Sequence, residues 1–158
     1  MERSTTRIAS TASTLVLIIG AMLLAAPTDA QVAFGARIGV WADPTDPFVG
    51  VEALVPLRPL WTLDPNVEVV FGDHETTGAL SCDALYRLER TSSATYWIGA
   101  GPSFLLTDLR HGGTDTDFGL NLLVRAELTG SRSYSPYVEG KVVLSNNNRA
   151  ALGFGVRF

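Results

Sequence analysis

Ten charged residues carry the chemistry of this 158-residue chain: Arg37, Glu52, Glu68, Asp83, Arg87, Arg125, Glu127, Glu139, Lys141 and Arg157. Each interrupts a stretch of apolar and small residues, and acids and bases come in about equal numbers. Balance of that kind is what a confined interior demands, because an ion taken out of water costs several kcal/mol unless a partner compensates it. A solvated outer surface has no such need. The chemistry these residues predict is therefore ion pairing, in a network that fills space rather than one that turns over a substrate.

Other reactive residues are few. His74 in Asp73-His74-Glu75 and His111 in Leu109-Arg110-His111-Gly112 lie near Asp108, Asp115 and Asp117. That set could hold a divalent ion weakly, and His74 with Ser81 could imitate a hydrolytic pair. Neither has the fixed short spacing of a metal or nucleophile motif, so both histidines read as solvated loop residues. No catalytic, cofactor-binding or metal-binding residue is assigned, and no cofactor is expected. Asp43-Pro44-Thr45-Asp46 is turn chemistry. Cys82 is the lone cysteine, so the fold must hold without an internal disulfide. With a net charge of −4 and no basic run, nucleic acid is not an expected partner.

The elements that must position the charges are strands. Period-two alternation divides the chain after residue 30 into about eight segments, near Val32–Ala42, Phe48–Leu57, Leu63–Gly72, Gly78–Glu89, Ala94–Leu106, Phe118–Leu128, Tyr134–Ser145 and Arg149–Phe158. One parity takes Phe34, Ala36, Ile38 and Val40, then Val49, Val51, Ala53 and Val55, then Val67, Val69 and Phe71, then Leu80, Cys82, Ala84 and Tyr86. It continues through Ile98, Ala100 and Phe104, then Leu120, Leu122, Val124 and Ala126, then Val138, Val142 and Leu144, and the even positions of the last segment, and it carries no charge. The ten charged residues take the other parity, together with Gly35, Gly39, Gly99, Gly101, Gly119, Gly153 and Gly155. Small residues on the charged face suit a narrow lumen filled by side chains. Aromatics of the apolar face gather at strand ends, Phe34, Tyr86, Tyr96, Tyr134 and Phe158 at one end and Phe71, Phe104 and Phe118 at the other, with Trp61 in a turn. Two such girdles are what membrane interfaces select. Strands of about ten residues, rising about 3.3 Å each and tilted near 40°, cover roughly the 25 Å apolar band of an outer membrane.

The chain's ends agree with that destination. Arg3 and Arg7, the apolar run Leu15 to Ala26, and Thr28-Asp29-Ala30 before Gln31 read as a secretory signal peptide over residues 1–30, leaving 31–158 as one barrel domain. The final segment, Arg149-Ala150-Ala151-Leu152-Gly153-Phe154-Gly155-Val156-Arg157-Phe158, resembles the closing strand of bacterial outer-membrane β-barrels. Gly99-Ala100-Gly101-Pro102-Ser103-Phe104 resembles the Gly-x-Gly-Pro stretch of small barrels of that kind. Pro102 removes a ladder hydrogen bond, so a bulge or local break is expected there.

The resemblance, to OmpA/OmpX-type proteins, implies an all-β, eight-stranded, antiparallel, up-and-down transmembrane β-barrel in the outer membrane. Its partners would be outer-membrane lipid and the barrel assembly machinery, which reads the terminal Phe158 as its signal; a monomer is expected. In that orientation Arg58–Thr62, Arg90–Ser93 and Ser131–Ser133 are periplasmic turns. Ala42–Pro47, Asp73–Thr77, Thr107–Asp117 and Asn146–Asn148 become outward loops, of which only Thr107–Asp117 is roomy. The function expected is structural or envelope-interacting, with a plugged, charge-paired lumen. A narrow conduit for small or hydrophobic compounds, as in OmpW-like barrels, is one alternative, and a soluble periplasmic lipocalin-like carrier is another, since alternation alone serves both.

Overall fold

The computed structural model describes residues 32–42, 45–73, 75–109, 113–129 and 134–158. The expected signal segment, His74 and His111 lie outside the described residues. Eight strands follow one another: β1 (Ala33–Ala42), β2 (Asp46–Arg58), β3 (Trp61–Phe71), β4 (Glu75–Arg90), β5 (Ala94–Leu109), β6 (Thr114–Leu128), β7 (Ser135–Leu144) and β8 (Arg149–Arg157). Each pairs antiparallel with its sequence neighbour, and β8 returns to β1, giving a closed up-and-down barrel. Reciprocal backbone hydrogen bonds between Phe34 and Phe158, 3.1 and 2.8 Å, finish the seam. Closure removes the sheet edges that would otherwise leave backbone groups unpaired, which in lipid is a requirement.

Alternation sorts the side chains as the period-two reading predicts. Outward positions such as Ile38, Val51, Val124, Leu152 and Phe154 are exposed, and Arg37, Glu52, Glu68, Arg125 and Glu139 are buried in the lumen. The lumen is packed by large side chains seated against small ones. The Tyr137 ring occupies the space that a Cβ at Gly155 would need, one strand away. Phe48 likewise lies against Gly39 and Gly153, which face each other across the β1–β8 seam.

Two local expectations change. The stretch Thr107–Asp117 is mostly strand: Thr107 pairs with Asp115 and Asp108 with Thr114, so β5 and β6 run on as a ribbon and only residues 110–113 connect them. The alternation of Thr114, Asp115, Thr116 and Asp117 supports this, because β-branched threonines fit a strand while the ribbon's exposed surface accepts the aspartates. Thr77 and Thr107 link their hydroxyls across β4 and β5 at 3.0 Å. Trp61 begins β3 instead of occupying a turn, and stacks on its cross-strand partner Tyr86 with ring centroids 5.0 Å apart.

At Pro102 the expected local break is present, as a lapse in pairing without a register shift. Ser81 pairs with Ser103 and Ala84 with Ala100 in one register, while Cys82 and Asp83 go unpaired opposite Pro102 and Gly101. Proline has no N–H to donate, and the absence of a side chain at Gly101 lets β4 come close enough that a Cβ there would sit 2.6 Å from the Asp83 Cα. The other ladder is undisturbed, with Pro102 opposite Leu120. Register shifts fall instead between Pro56 and Arg58 and between Arg87 and Glu89, near the turns.

Candidate functional site: the lumen

Two arginines centre the interior, because β1 and β6 each place one guanidinium inward among carboxylates from facing strands. Arg125 Nη2 lies 2.6 Å from Glu139 Oε2, 2.7 Å from Asp64 Oδ2 and 3.0 Å from Glu52 Oε2, and its Nε donates to Glu139 Oε2 at 2.8 Å. Its guanidinium also stacks on the Tyr137 ring, 4.2 Å from the centroid. Arg37 reaches Glu139 Oε1 and Glu68 Oε1, both at 3.0 Å, and Glu52 at 3.6 Å. Lys141 closes the group on Glu68 Oε1 at 2.7 Å. Each arginine touches three carboxylates, and Glu52 and Glu139 each bridge both arginines. Such sharing compensates buried ions better than separate pairs would.

The structure thus brings six of the ten expected charges into one cluster: Arg37, Glu52, Glu68, Arg125, Glu139 and Lys141. Glu127, which is buried, pairs separately at 2.5 Å with the partly exposed Arg157 at the barrel end where β8 finishes. Arg87 faces the Trp97 ring, 5.9 Å from its centroid, with no ion pair among the described residues. Asp83 is fully buried yet makes no ion pair among the described residues. It accepts hydrogen bonds from the amides of Asn66 at 2.9 Å and Asn121 at 3.0 Å.

Four lumen residues go beyond the expected set: Asp64, Asn66, Asn121 and Tyr137. Parity could have found Asp64 and Asn66, since both share the inward phase of Glu68 on β3. The run Asp64-Pro65-Asn66 has turn composition, which masks that phase; Pro65 is accommodated because β3 keeps its pairing with β4 through it. Asn121 and Tyr137 are inward on the same count, but uncharged residues carry no balance signal.

Above and below the ions lie two apolar clusters. Trp41, Phe48, Val70, Ala79, Leu105 and Val143 form one buried cluster toward the end of the barrel where β1 finishes. Leu54, Leu85, Trp97 and Leu123, with Ala33 against them, form a second toward the end where β1 begins. Trp41 meets the ionic layer directly, with Lys141 Nζ 5.6 Å from its ring centroid.

An apolar exterior around a charged interior inverts the arrangement of a soluble barrel and is the solution for one immersed in lipid. Comparison with solved structures agrees. The β-barrel domain at the N-terminus of Pseudomonas aeruginosa OprF superposes with a TM-score of 0.71 at 13% identity, over 82% of this chain and 98% of that one. Neisserial surface protein A gives 0.64 at 14% identity, over 80% of this chain and 94% of that one. The fold of this chain is that of the small outer-membrane β-barrels. The outer-membrane enzyme PagL gives 0.52 at 10% identity, over 81% of this chain and 99% of that one, so the same fold also carries chemistry. No family model and no curated protein sequence matches the chain.

Of the reactive residues weighed in the sequence, His74 and His111 lie outside the described residues. Ser81 points into the lumen and shares a 2.9 Å hydrogen bond with Ser103. Among the described residues no group of three His, Cys, Asp or Glu side chains is placed to hold a metal. Cys82 is free and partly buried.

Proposed function

We propose that this chain is an integral, monomeric outer-membrane β-barrel with a structural or envelope-interacting role, a closed lumen and no catalysis. The observation that carries the reading is the ionic cluster lying between two apolar layers. A hydrated ion crossing the lumen would have to shed water at each apolar layer and then displace guanidinium groups that each hold three carboxylates. The outward face supports residence in lipid: its exposed side chains are valine, leucine, isoleucine and aromatic ones. Short connections also favour a structural role, because a receptor or adhesin ordinarily displays longer loops.

Purified protein in planar bilayers is expected to show little or no steady conductance. Large, stable channels would overturn the closed lumen and favour a narrow conduit. Carbonate-washed membranes should retain the protein, and unheated samples in detergent should migrate apart from boiled ones. Recovery in the soluble periplasmic fraction would favour the carrier instead.

A further inference from the structure

The outer surface of the barrel is not evenly covered. A groove of about 890 Å³ crosses the strands on the outward face, walled by Trp61, Tyr86, Leu122 and Val124, with Ala100 and Gly140 in its floor. That volume lies within the range, roughly 300–1,000 Å³, of sites that take a whole small-molecule ligand. Register builds it: Trp61 pairs with Tyr86, Tyr86 with Ile98, Ile98 with Val124 and Val124 with Gly140, and cross-strand partners share a face. A Cβ added at Gly140 would touch only the Val124 Cγ2, at 3.7 Å, so the floor there is open.

One end of the groove is polar. Trp61 and Tyr86 stack at its head, toward the end of the barrel where β1 begins, and Arg58 stands beside them because of a local irregularity in β2. On an uninterrupted strand Arg58 has the inward phase of the buried Glu52 and Leu54. The register shift between Pro56 and Arg58 sets it opposite Trp61 instead, on the outward face. The turn beyond it is held to β4 by the Arg87 N–H, which donates to the Leu60 carbonyl at 2.9 Å. Arg58 is exposed and enters no ion pair among the described residues. The other described charges of this rim are Arg87, Arg90 and Arg157 against Glu89 and Glu127, so the field at the head of the groove is positive.

We propose that the groove holds one phospholipid with an anionic headgroup, its acyl chain along the groove and its phosphate on Arg58. In lipid the apolar wall selects nothing, because every acyl chain is as apolar as the wall; the groove adds contact area and Arg58 adds charge. A guanidinium meets a phosphodiester with paired N–H donors and is weakly hydrated, so it sheds water readily at the interface. The aromatic pair marks that interface, where amphipathic rings settle. This occupancy rests on the lipid-facing exterior alone and is independent of a closed lumen.

Trp61 is a built-in reporter, since the other two tryptophans, Trp41 and Trp97, are buried inside the barrel. Purified protein is inserted into phosphatidylcholine vesicles carrying a minor fraction of brominated phosphatidylglycerol, or the same fraction of brominated phosphatidylcholine, and bromine quenches the tryptophan it touches. The anionic lipid is expected to bind on the order of fivefold better than the zwitterionic one, the worth of one basic side chain at a membrane surface. Arg58→Gln should abolish the preference, and Gly140→Leu, which fills the groove, should lower it. Arg90→Gln, on the same rim, should leave it unchanged. The heat-dependent gel shift reports whether each variant is folded; if Gly140→Leu does not fold, Ala100→Leu takes its place with the same expected loss. Equal quenching by the two lipids in the wild type overturns the site. So does equal loss of preference in Arg58→Gln and Arg90→Gln, which would reduce it to diffuse rim charge, or a preference untouched by filling the groove. Weak quenching by both lipids, with cross-linked dimers, would assign the groove to a second copy of the chain. Protein recovered outside the vesicles would remove the lipid-facing exterior itself, so the two failures are distinguishable.

Discussion

Arg125 is the residue on which the ionic layer depends most, because it holds Glu52, Asp64 and Glu139 at once and lies flat on Tyr137. Removing it leaves three buried carboxylates with one centre fewer to satisfy them. Arg125→Ala should destabilise the barrel by on the order of 3–5 kcal/mol, less where water follows into the space. Arg157 is a contrast at the same chemistry. It holds one carboxylate, the buried Glu127, and its own side chain is 30% exposed, so solvent screens the pair from one side only. Arg157→Ala should cost about 1–3 kcal/mol, between an exposed pair and a fully buried one. Urea unfolding in detergent micelles measures both, and equal costs would show that the interior is wet throughout.

At the scale of the strand, the side assigned to each residue is the testable quantity. Val124 is outward and 61% exposed, so Val124→Arg places a charge in lipid and should destabilise by roughly 2–4 kcal/mol if it lies near mid-membrane. Equal tolerance of arginine at Val124 and at Asn147, in the β7–β8 connection, would show the faces to be reversed. Inward, the limit is space. Gly155→Leu drives a side chain into the Tyr137 ring, with an expected cost of roughly 1–3 kcal/mol. Tyr137→Ala in the same chain should recover part of it, a coupling that a double-mutant cycle in the same unfolding assay reads directly.

Strand number, pairing order and the side taken by each charge were legible because a period of two survives any sequence in which one face meets lipid. Asp64 was not, since Asp-Pro-Asn has the composition of a turn and only the ladder from β3 to β4 shows the strand running through it. The β5–β6 ribbon was obscured for the same reason: its aspartates and glycine look like loop, and the pairing of Thr107 with Asp115 is a long-range fact. Which charges meet is likewise a matter of barrel closure, as Arg125 on β6 finds Glu52 on β2 across the lumen.

For the whole molecule the decisive residue is Phe158, which closes the barrel and is the proposed assembly signal. Its backbone exchanges two hydrogen bonds with Phe34, tying the last strand to the first, while its side chain is exposed on the outer surface. Losing the residue removes that final link and some interfacial burial, together worth on the order of 1–3 kcal/mol. The rest of the β1–β8 ladder, from Gly35–Arg157 to Ala42–Ala150, remains to hold the seam. A chain ending at Arg157 should therefore refold into detergent and show the heat-dependent gel shift. If the exposed aromatic terminus is also what the assembly machinery reads, the same chain should be depleted from outer membranes in cells at equal expression. Loss in both assays would make Phe158 a stability element alone. Normal membrane levels of the shortened chain would remove its role as a signal, because only recognition in cells separates the two outcomes.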